Sequence, residues 1–323
     1  MAQVRKDDVV ALVVTYNRKE LLIECINALL NQKVFLKKIL VLDNNSDDGT
    51  DKLFSSGCFS KKSEVDYVRL KENIGGAGGF SKGIKYLDDN YSYDWLWLMD
   101  DDTIAQVDTL DNLLVDLKKI KGKESVSFLA SSVVGPEDEP MNVPEISDKK
   151  TTNGYKNWHK YLSSGLVEIR QATFVSLLIS HEAIKRVGYP VASYFIWGDD
   201  TEYTLRLTSY YGPAFLSGSS KILHKRFNAK SLSIVEELNP NRIGMYKFFY
   251  RNNLLNFKTY FSNRYFLKKY LGYLVYSFYL LIKPGVKFRF KKFKAVQTGW
   301  WNYTLKKYNK KEFDKRLEAN YGR

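Results

Sequence analysis

A chain of 323 residues with 44% hydrophobic side chains can bury a full core, which excludes a disordered or fibrous protein. Its net charge of +14 is uneven: residues 241–323 hold 20 of the 50 Lys and Arg but 3 of the 36 Asp and Glu, a local +17, which leaves residues 1–240 at −3. Cys25 and Cys58 are its only cysteines, so no disulfide framework or cysteine-based metal centre can be built, and a reducing compartment is expected.

In chain order, Val9–Thr15 is a near-continuous apolar run, as a strand buried on both faces requires. After Tyr16-Asn17-Arg18, residues Leu21, Leu22, Cys25, Ile26, Leu29 and Leu30 recur on one face of a helix. Ile39–Leu42 reads as a second strand, ended by the turn formers of Asp43–Gly49, and Thr50–Phe54 opens a helix. Val65–Leu70 is a third strand, the glycine-rich Asn73–Gly83 runs into a helix, and Trp95–Met99 is a fourth strand ending at Asp100-Asp101-Asp102. This alternation predicts an α/β fold with a mostly parallel sheet and a ligand crevice at the carboxyl ends of its strands. Beyond it the spacing predicts a helix over 110–120, a strand over 126–134, a polar loop over 135–160, one long strand over 168–180, helices over 181–187 and 199–211, and edge strands over 214–217 and 221–224. From Met245 the composition turns aromatic and basic at helical spacing, and a domain boundary is placed near residue 240.

The glycine run fails as a dinucleotide fingerprint, because Ser81 stands where the third glycine is needed, and as a P-loop, because Ile84-Lys85 follows Gly83. Two readings survive: a backbone that admits a ligand near Asn73–Phe80, or a helix start packed tightly on the sheet. Asp100-Asp101-Asp102 crowds three negative charges at a strand end, and a divalent cation is the economical partner. In an extended segment Asp100 and Asp102 point to one side, a pair that suits Mg²⁺ or Mn²⁺ with coordination sites left for a diphosphate. Asp199 and Asp200 open a helix after Phe195-Ile196-Trp197-Gly198, partly dry surroundings that suit one carboxylate as a general base and the other as a cap. His224 ends an apolar run and is either a structural histidine or a third metal ligand.

Several motifs in order resemble those of a family 2 inverting glycosyltransferase of the GT-A fold. They are Val-Val-Thr-Tyr-Asn-Arg (13–18), Val-Leu-Asp-Asn-Asn-Ser-Asp-Asp-Gly-Thr (41–50), Asn-Ile-Gly-Gly-Ala-Gly-Gly-Phe (73–80), Asp-Asp-Asp (100–102), Trp-Gly-Asp-Asp-Thr-Glu-Tyr (197–203) and a later His. The combination is similar to the branch of bacterial galactofuranosyltransferases and some rhamnosyltransferases, over roughly residues 9–226. The resemblance implies that Thr15, Arg18 and Asp43 contact the nucleoside. It implies that Asn73, Gly75, Gly76, Gly78, Gly79, Phe80 and Asp101 line the sugar-diphosphate site, that Asp100, Asp102 and His224 hold Mn²⁺ or Mg²⁺, and that Asp200 is the base. Trp197, Asp199 and Tyr194 fall on the acceptor side, where the two rings either stack on sugars or pack in the core. The polymerising enzymes of this branch are much longer, which implies single rather than repeated transfer here.

Residues 241–300 contain no Asp or Glu and carry many Phe and Tyr among lysines and arginines. No nucleic-acid motif accompanies them. An anionic membrane surface fits better, and a helical core against the catalytic part or a second subunit is the alternative. The longest apolar stretch, Tyr270–Ile282, spans 13 residues, short of the roughly 20 a spanning helix needs. Val9–Val14 lacks the length and cleavage site of a signal peptide. The expectation is an enzyme on the cytoplasmic face of the cell membrane that moves galactofuranose from UDP-galactofuranose onto a lipid-linked polysaccharide precursor. The alternatives are transfer from dTDP-rhamnose, sugar-nucleotide binding without transfer, and a basic adaptor.

Overall fold

The computed structural model describes residues 8–120, 125–226, 232–309 and 312. Strands β1 (Val9–Thr15), β2 (Lys38–Asp43), β3 (Val65–Arg69) and β4 (Trp95–Asp100) run parallel in the order β3-β2-β1-β4. The chain therefore builds outward from β1 to β3 and then returns to the other side of β1. Ligand crevices form at such a reversal, outside the carboxyl ends of the strands. Helix α1 (Lys19–Leu30) follows β1, α2 (Thr50–Ser55) follows β2, and α3 (Gly75–Asn90) joins β3 to β4.

The strands alternate their side chains between two apolar layers, as a period of two requires. Val9, Ala11 and Val13 pack with Leu22, Cys25 and Ile26 of α1 and with Leu110 and Leu113 of α4 (Thr109–Lys119). Val10, Leu12 and Val14 pack with Phe80, Ile84 and Leu87 of α3, and with residues of α5 (His181–Val187) and α6 (Asp199–Tyr210). Each fully buried Val, Leu, Ile or Phe contributes roughly 1.5–3 kcal/mol. A sheet covered on both faces is thus stable without help from its loops, which are left to carry the site.

The second half of the sheet is mixed. β5 (Thr103–Ala105) and β6 (Phe128–Val134) are followed by β7 (Glu145–Ile146), β8 (Leu166–Gln171), β9 (Leu177–Ser180) and β10 (Ala214–His224). β9 lies antiparallel between β4 and β6, and β10 runs parallel to β6 and antiparallel to β8 and β5. Two expectations are corrected. The single strand over 168–180 is two strands on different neighbours, because the Ala172 amide leaves the sheet to donate to Thr204 Oγ1 and Phe174 turns into the core. The two edge strands over 214–224 are one internal strand with an irregularity between Ser217 and Lys221, where Ser217 and Ser219 both donate to the buried Asp116 carboxylate.

The aromatic, basic region forms α7 (Pro240–Tyr260), α8 (Asn263–Ile282) and α9 (Arg289–Thr304). Asn239 caps α7 by accepting from the amides of Asn241 and Arg242, with Pro240 in the first turn, and Ser262 caps α8. Ile243, Tyr246, Tyr250, Leu280, Ala295 and Val296 form the core between these helices. Leu255 of α7 crosses to Ala77, Val191 and Tyr194, so α7 also belongs to the wall of the sheet domain. Among the described residues no helix is long and apolar enough to cross a membrane.

Candidate active site

Strand register assembles the acidic half of the site. Val14 pairs with Asp100 across β1 and β4, which sets Thr15 beside Asp101, and Thr15 Oγ1 donates to Asp101 Oδ2 at 2.8 Å. His224 pairs with Thr103 across β10 and β5, which sets its ring beside Asp102, with Nε2 3.1 Å from Asp102 Oδ1. Arg18, just past β1, donates from Nη1 to Asp101 Oδ1 at 3.1 Å and to Asp102 Oδ2. Ligand atoms of Asp100, Asp102 and His224 lie within 4.8 Å of one another.

The electrostatics of this cluster call for a further cation. Burial and the charges of Asp102 and Asp101 push the Asp100 carboxyl well above the usual range. Burial also raises Asp101, to about 6, against the opposing pull of Arg18. Burial would raise Asp102 as well, but its bond to His224 and the charge of Arg18 prevail and hold it low. Three carboxylates thus share the field of one guanidinium, which offsets least at Asp100, the carboxyl held highest.

The histidine geometry points the same way. Asn142 Nδ2 donates to Thr173 Oγ1, so its Oδ1 faces His224 Nδ1 at 2.8 Å and takes the imidazole proton. His224 Nε2 then faces Asp102 Oδ1 at 3.1 Å, where a shared proton, the bond that holds Asp102 low, or a metal ion can lie between the two atoms. Two facing lone pairs need a shared proton or cation, and a histidine oriented by a carbonyl oxygen through its other nitrogen is the usual arrangement at a metal. The residues present therefore fit a divalent cation with O and N ligands.

The second half of the site is the start of α6. Phe195, Trp197 and Gly198 have φ of 66°, 61° and 86°, a left-handed stretch that costs energy at the two non-glycine residues and persists only if held. The side chains that hold it come from α7. Asn252 Nδ2 reaches the carbonyls of Tyr194, Ile196 and Trp197 at 3.0, 3.1 and 2.7 Å. Asn256 Nδ2 donates to Gly198 O at 2.9 Å, and Arg251 Nη2 donates to Ser193 O at 2.7 Å. From the other side Gly75, at φ 77°, lies so close that a Cβ there would stand 2.1 Å from Phe195 O. The loop delivers Asp199, buried, and Asp200, half-buried, to the helix N-terminus. Burial and the neighbouring Asp200 push Asp199 up to about 8, and burial raises Asp200 against the Thr201 amide that donates to it at 2.6 Å. Asp199 is close enough to Asp100 to raise its pKa further, so the two acidic groups lie within one another's field.

The structure brings Arg18, Asp100, Asp102, His224, Asp199 and Asp200 together, and Asn73 and Gly76 border open space, with nothing within 4 Å of a Cβ on Gly76. Other expected site residues lie inside the fold. Thr15, Asp43 and Asp101 are buried, with polar atoms engaged inside the protein: Asp43 accepts from Ser46 N, Ser46 Oγ and the Tyr67 hydroxyl. They shape the loops and position Arg18, because a side chain at the end of a doubly covered strand must find its partners within the fold. Gly78 packs on Ile74 and Gly79 on Val14 and Asn44, and Phe80 meets Phe174 edge to face, so the glycine run is mainly a helix start pressed on the sheet. Tyr194 is 1% exposed and bonds Asn256 Oδ1, so it has no ring face to offer a sugar. Trp197 stays partly exposed, packed on Tyr246 and Phe249.

Sequence reasoning missed Asn142, Arg226, Arg251, Asn252 and Asn256. Arg226 lies within the fields of Arg242, Asp102 and Arg18, half-buried, with burial and Arg242 lowering its pKa. The signal for the α7 residues was present: Arg251, Asn252 and Asn256 interrupt an aromatic helix, and buried polar groups of that kind must have partners. Asn142 lies in the loop that carried no pattern.

Known proteins resemble this chain in sequence and in fold. The family described as Glycosyl transferase family 2 matches residues 10–162. Galactofuranosyltransferase GlfT1 of Mycolicibacterium smegmatis is 26% identical over 200 residues, 62% of this chain and 65% of that protein, so the match spans just under two thirds of the relative's length. Among solved structures, GalNAc-T7 with UDP, GalNAc and Mn²⁺ superposes with a TM-score of 0.55 at 11% identity, over 91% of this chain and 55% of that one. The mannosyltransferase PcManGT of Pyrobaculum calidifontis, in complex with GDP-Man and Mn²⁺, gives 0.54 at 12% identity over 94% and 89%. At such identities these likenesses establish the fold.

Proposed function

Taking as premise that this chain is a family-2-like glycosyltransferase of the GT-A fold, we propose that it is a metal-dependent inverting transferase that moves galactofuranose from UDP-galactofuranose onto a lipid-linked glycan. One observation carries the reading. A carboxylate and histidine cluster that fits a divalent cation lies within the electrostatic reach of a helix-borne carboxylate pair with raised pKa. The two halves are the electrophile-binding and the base-bearing sides of a displacement. The solved structures with Mn²⁺ and a nucleotide or nucleotide sugar support the metal, and the galactofuranosyltransferase relative supports the sugar.

In this mechanism Asp200 accepts the proton of an acceptor hydroxyl, and that oxygen attacks the anomeric carbon as the bond to the nucleoside diphosphate breaks on the opposite face. The configuration inverts. Arg18 is held by Asp101 and Asp102 at the mouth of the crevice, where it and Arg226 add positive charge near the departing diphosphate. Asp100, Asp102 and His224 would hold Mn²⁺ or Mg²⁺, which supplies Lewis-acid neutralisation of the leaving diphosphate. Asp199 stays protonated near neutral pH and spares its neighbour a second negative charge.

The lipid-linked acceptor and a membrane site of action rest on α8. Leu267, Leu271, Val275, Phe278 and Ile282 recur at helical spacing and are each at least half exposed. Lysines flank this stripe, and each contributes roughly 1 kcal/mol near an anionic surface. The free, exposed Cys58 accords with a reducing, cytoplasmic face.

The test incubates the protein with UDP-galactofuranose or dTDP-rhamnose, with and without Mn²⁺, and follows the released nucleoside diphosphate. Mn²⁺-dependent release from UDP-galactofuranose, lost in Asp200→Asn and Asp102→Ala, is the expected result. Release from dTDP-rhamnose alone would reassign the donor. No turnover of either with a lipid-linked acceptor present would refute the reading.

A further inference from the structure

We propose that the cleft between α7 and α8 is the subsite for the lipid-diphosphate end of the acceptor, an assignment that rests on the transferase reading above. The cleft encloses about 430 Å³, within the range of roughly 300–1,000 Å³ for ligand sites. Tyr246 and Tyr250 lie deep in it, Phe249, Tyr273 and Tyr276 form its sides, and Lys268, Lys269 and Gly272 lie along its α8 border. The Lys269 ammonium stands over the rings of Tyr265 and Phe257, at 5.4 and 5.8 Å, which keeps a positive charge at the rim.

The inner wall of the cleft connects with the catalytic loop. Trp197, three residues before the base, packs on Tyr246 at 4.9 Å and on Phe249 at 6.4 Å between ring centroids. The aromatic layer that lines the cleft is therefore the layer that supports the acceptor side of the site. Flat ring faces suit sugars along that path.

Helical geometry makes the second connection. Lys268, Gly272 and Tyr276 form an i, i+4, i+8 row along α8 that lines the cleft. The adjacent row, Leu267, Leu271 and Val275, is the exposed apolar stripe. An apolar tail lying on that stripe needs to step over only one row of side chains for its head group to enter the cleft.

Charge is the third argument. No acid occurs in residues 241–300, and Glu237, whose field reaches Tyr246, is ion-paired with Arg242 at 3.1 Å. A diphosphate beside Lys268 and Lys269 is thus matched by cations, while a neutral lipid leaves them unused. Apolar stripe, cationic rim and aromatic interior follow in the order tail, diphosphate, glycan.

Gly272 provides a test that spares the fold. A Cβ there has nothing within 4 Å, and leucine favours a helix over glycine, so Gly272→Leu adds bulk at the cleft border from a backbone position that accepts a side chain. Gly244→Leu, equally open on α7 but outside the cleft, is the control. Farnesyl diphosphate is titrated into the full chain by intrinsic fluorescence, with farnesol as the probe that lacks the anion. We expect Gly272→Leu and the double change Lys268→Glu, Lys269→Glu to weaken farnesyl diphosphate binding at least tenfold. Gly244→Leu should bind as the native chain does, and farnesol should bind much more weakly than the diphosphate. Unaltered binding in both cleft variants, or farnesol binding as tightly as the diphosphate, overturns the assignment. The donor assay separates the two claims. Sugar transfer with an unaffected Gly272→Leu rejects only the subsite, whereas cleft-dependent farnesyl diphosphate binding with no turnover of either donor rejects only the transferase reading.

Discussion

The two halves of the crevice are held by different means. Asp100, Asp102 and His224 sit at strand ends, and their relative positions follow from the β1–β4 and β5–β10 registers. Asp199 and Asp200 sit behind a strained loop whose carbonyls are tied to α7, more than fifty residues further along the chain. Register in a sheet buried on both faces cannot drift, because a one-residue slip would turn every apolar side chain to the wrong layer. A loop held by side chains can be loosened by one substitution. The carboxylate and histidine half, proposed to hold the metal, should therefore resist damage elsewhere in the protein, and the Asp199–Asp200 half, proposed to carry the base, should be sensitive to the C-terminal helices.

Asp200→Asn should show the largest effect. Loss of a positioned base removes about 10²- to 10⁴-fold in kcat, while nucleotide affinity measured by calorimetry stays unchanged. An equal loss of nucleotide affinity would break the division into two halves. Asn252→Ala comes next and tests the tie from α7. The carbonyls of Ile196 and Trp197 would lose the Asn252 donor, while that of Tyr194 keeps Arg251 Nη2 and the Ile196 amide, at a cost of about 1–3 kcal/mol in stability for an unsatisfied buried group. A displaced base lowers kcat about 10²-fold, and Mn²⁺ affinity should not move. On the other half, Asn142→Ala frees the His224 ring to rotate and should weaken Mn²⁺ binding about 10- to 100-fold with α6 undisturbed.

The pH dependence sharpens the contrast. A base must be ionised to accept a proton, and both Asp199 and Asp200 have raised pKa values, that of Asp199 reaching about 8. The acid limb of kcat/KM, set by Asp200, should therefore lie above the ordinary carboxylate range, with activity rising as pH rises through it. Asp199 is still protonated while Asp200 ionises, so Asp199→Asn removes no charge from beside the base and the limb should stay in place. A limb that moves to lower pH would mean that Asp199 carries a charge beside the base while Asp200 titrates.

This division also explains what was legible in the sequence. The parallel half of the sheet was readable because runs such as Val9–Thr15 can bury both faces only as interior strands. The acidic triplet was readable because three adjacent carboxylates at a strand end need a cation. The long strand over 168–180 was misread because an apolar run does not say which neighbour each part pairs with, and that depends on Thr204 of α6 capturing the Ala172 amide. The roles of Asn252 and Asn256 were hidden for the same reason: local pattern places them on a helix but not against a loop. Composition marked the C-terminal region as basic and aromatic, and only packing reveals that one face of α7 completes the site.

The smallest expected effects come from two adjacent glycines, and they discriminate between readings of the glycine run. Gly75 has φ 77° and would place a Cβ 2.1 Å from Phe195 O, whereas Gly76 has nothing within 4 Å of that position. Gly75→Ala must strain its own backbone and push the Phe195 carbonyl away, so it should lower stability by roughly 1–3 kcal/mol and reduce kcat with it. Gly76→Ala gains helix propensity of up to about 1 kcal/mol and should leave the thermal midpoint unchanged or slightly raised. If Gly76→Ala nevertheless weakens UDP binding, the open face of the helix start is in contact with the donor, as a ligand-admitting backbone requires. If it does not, the run serves only to bring α3 against the sheet and the base loop, and the donor is held by the acidic half alone.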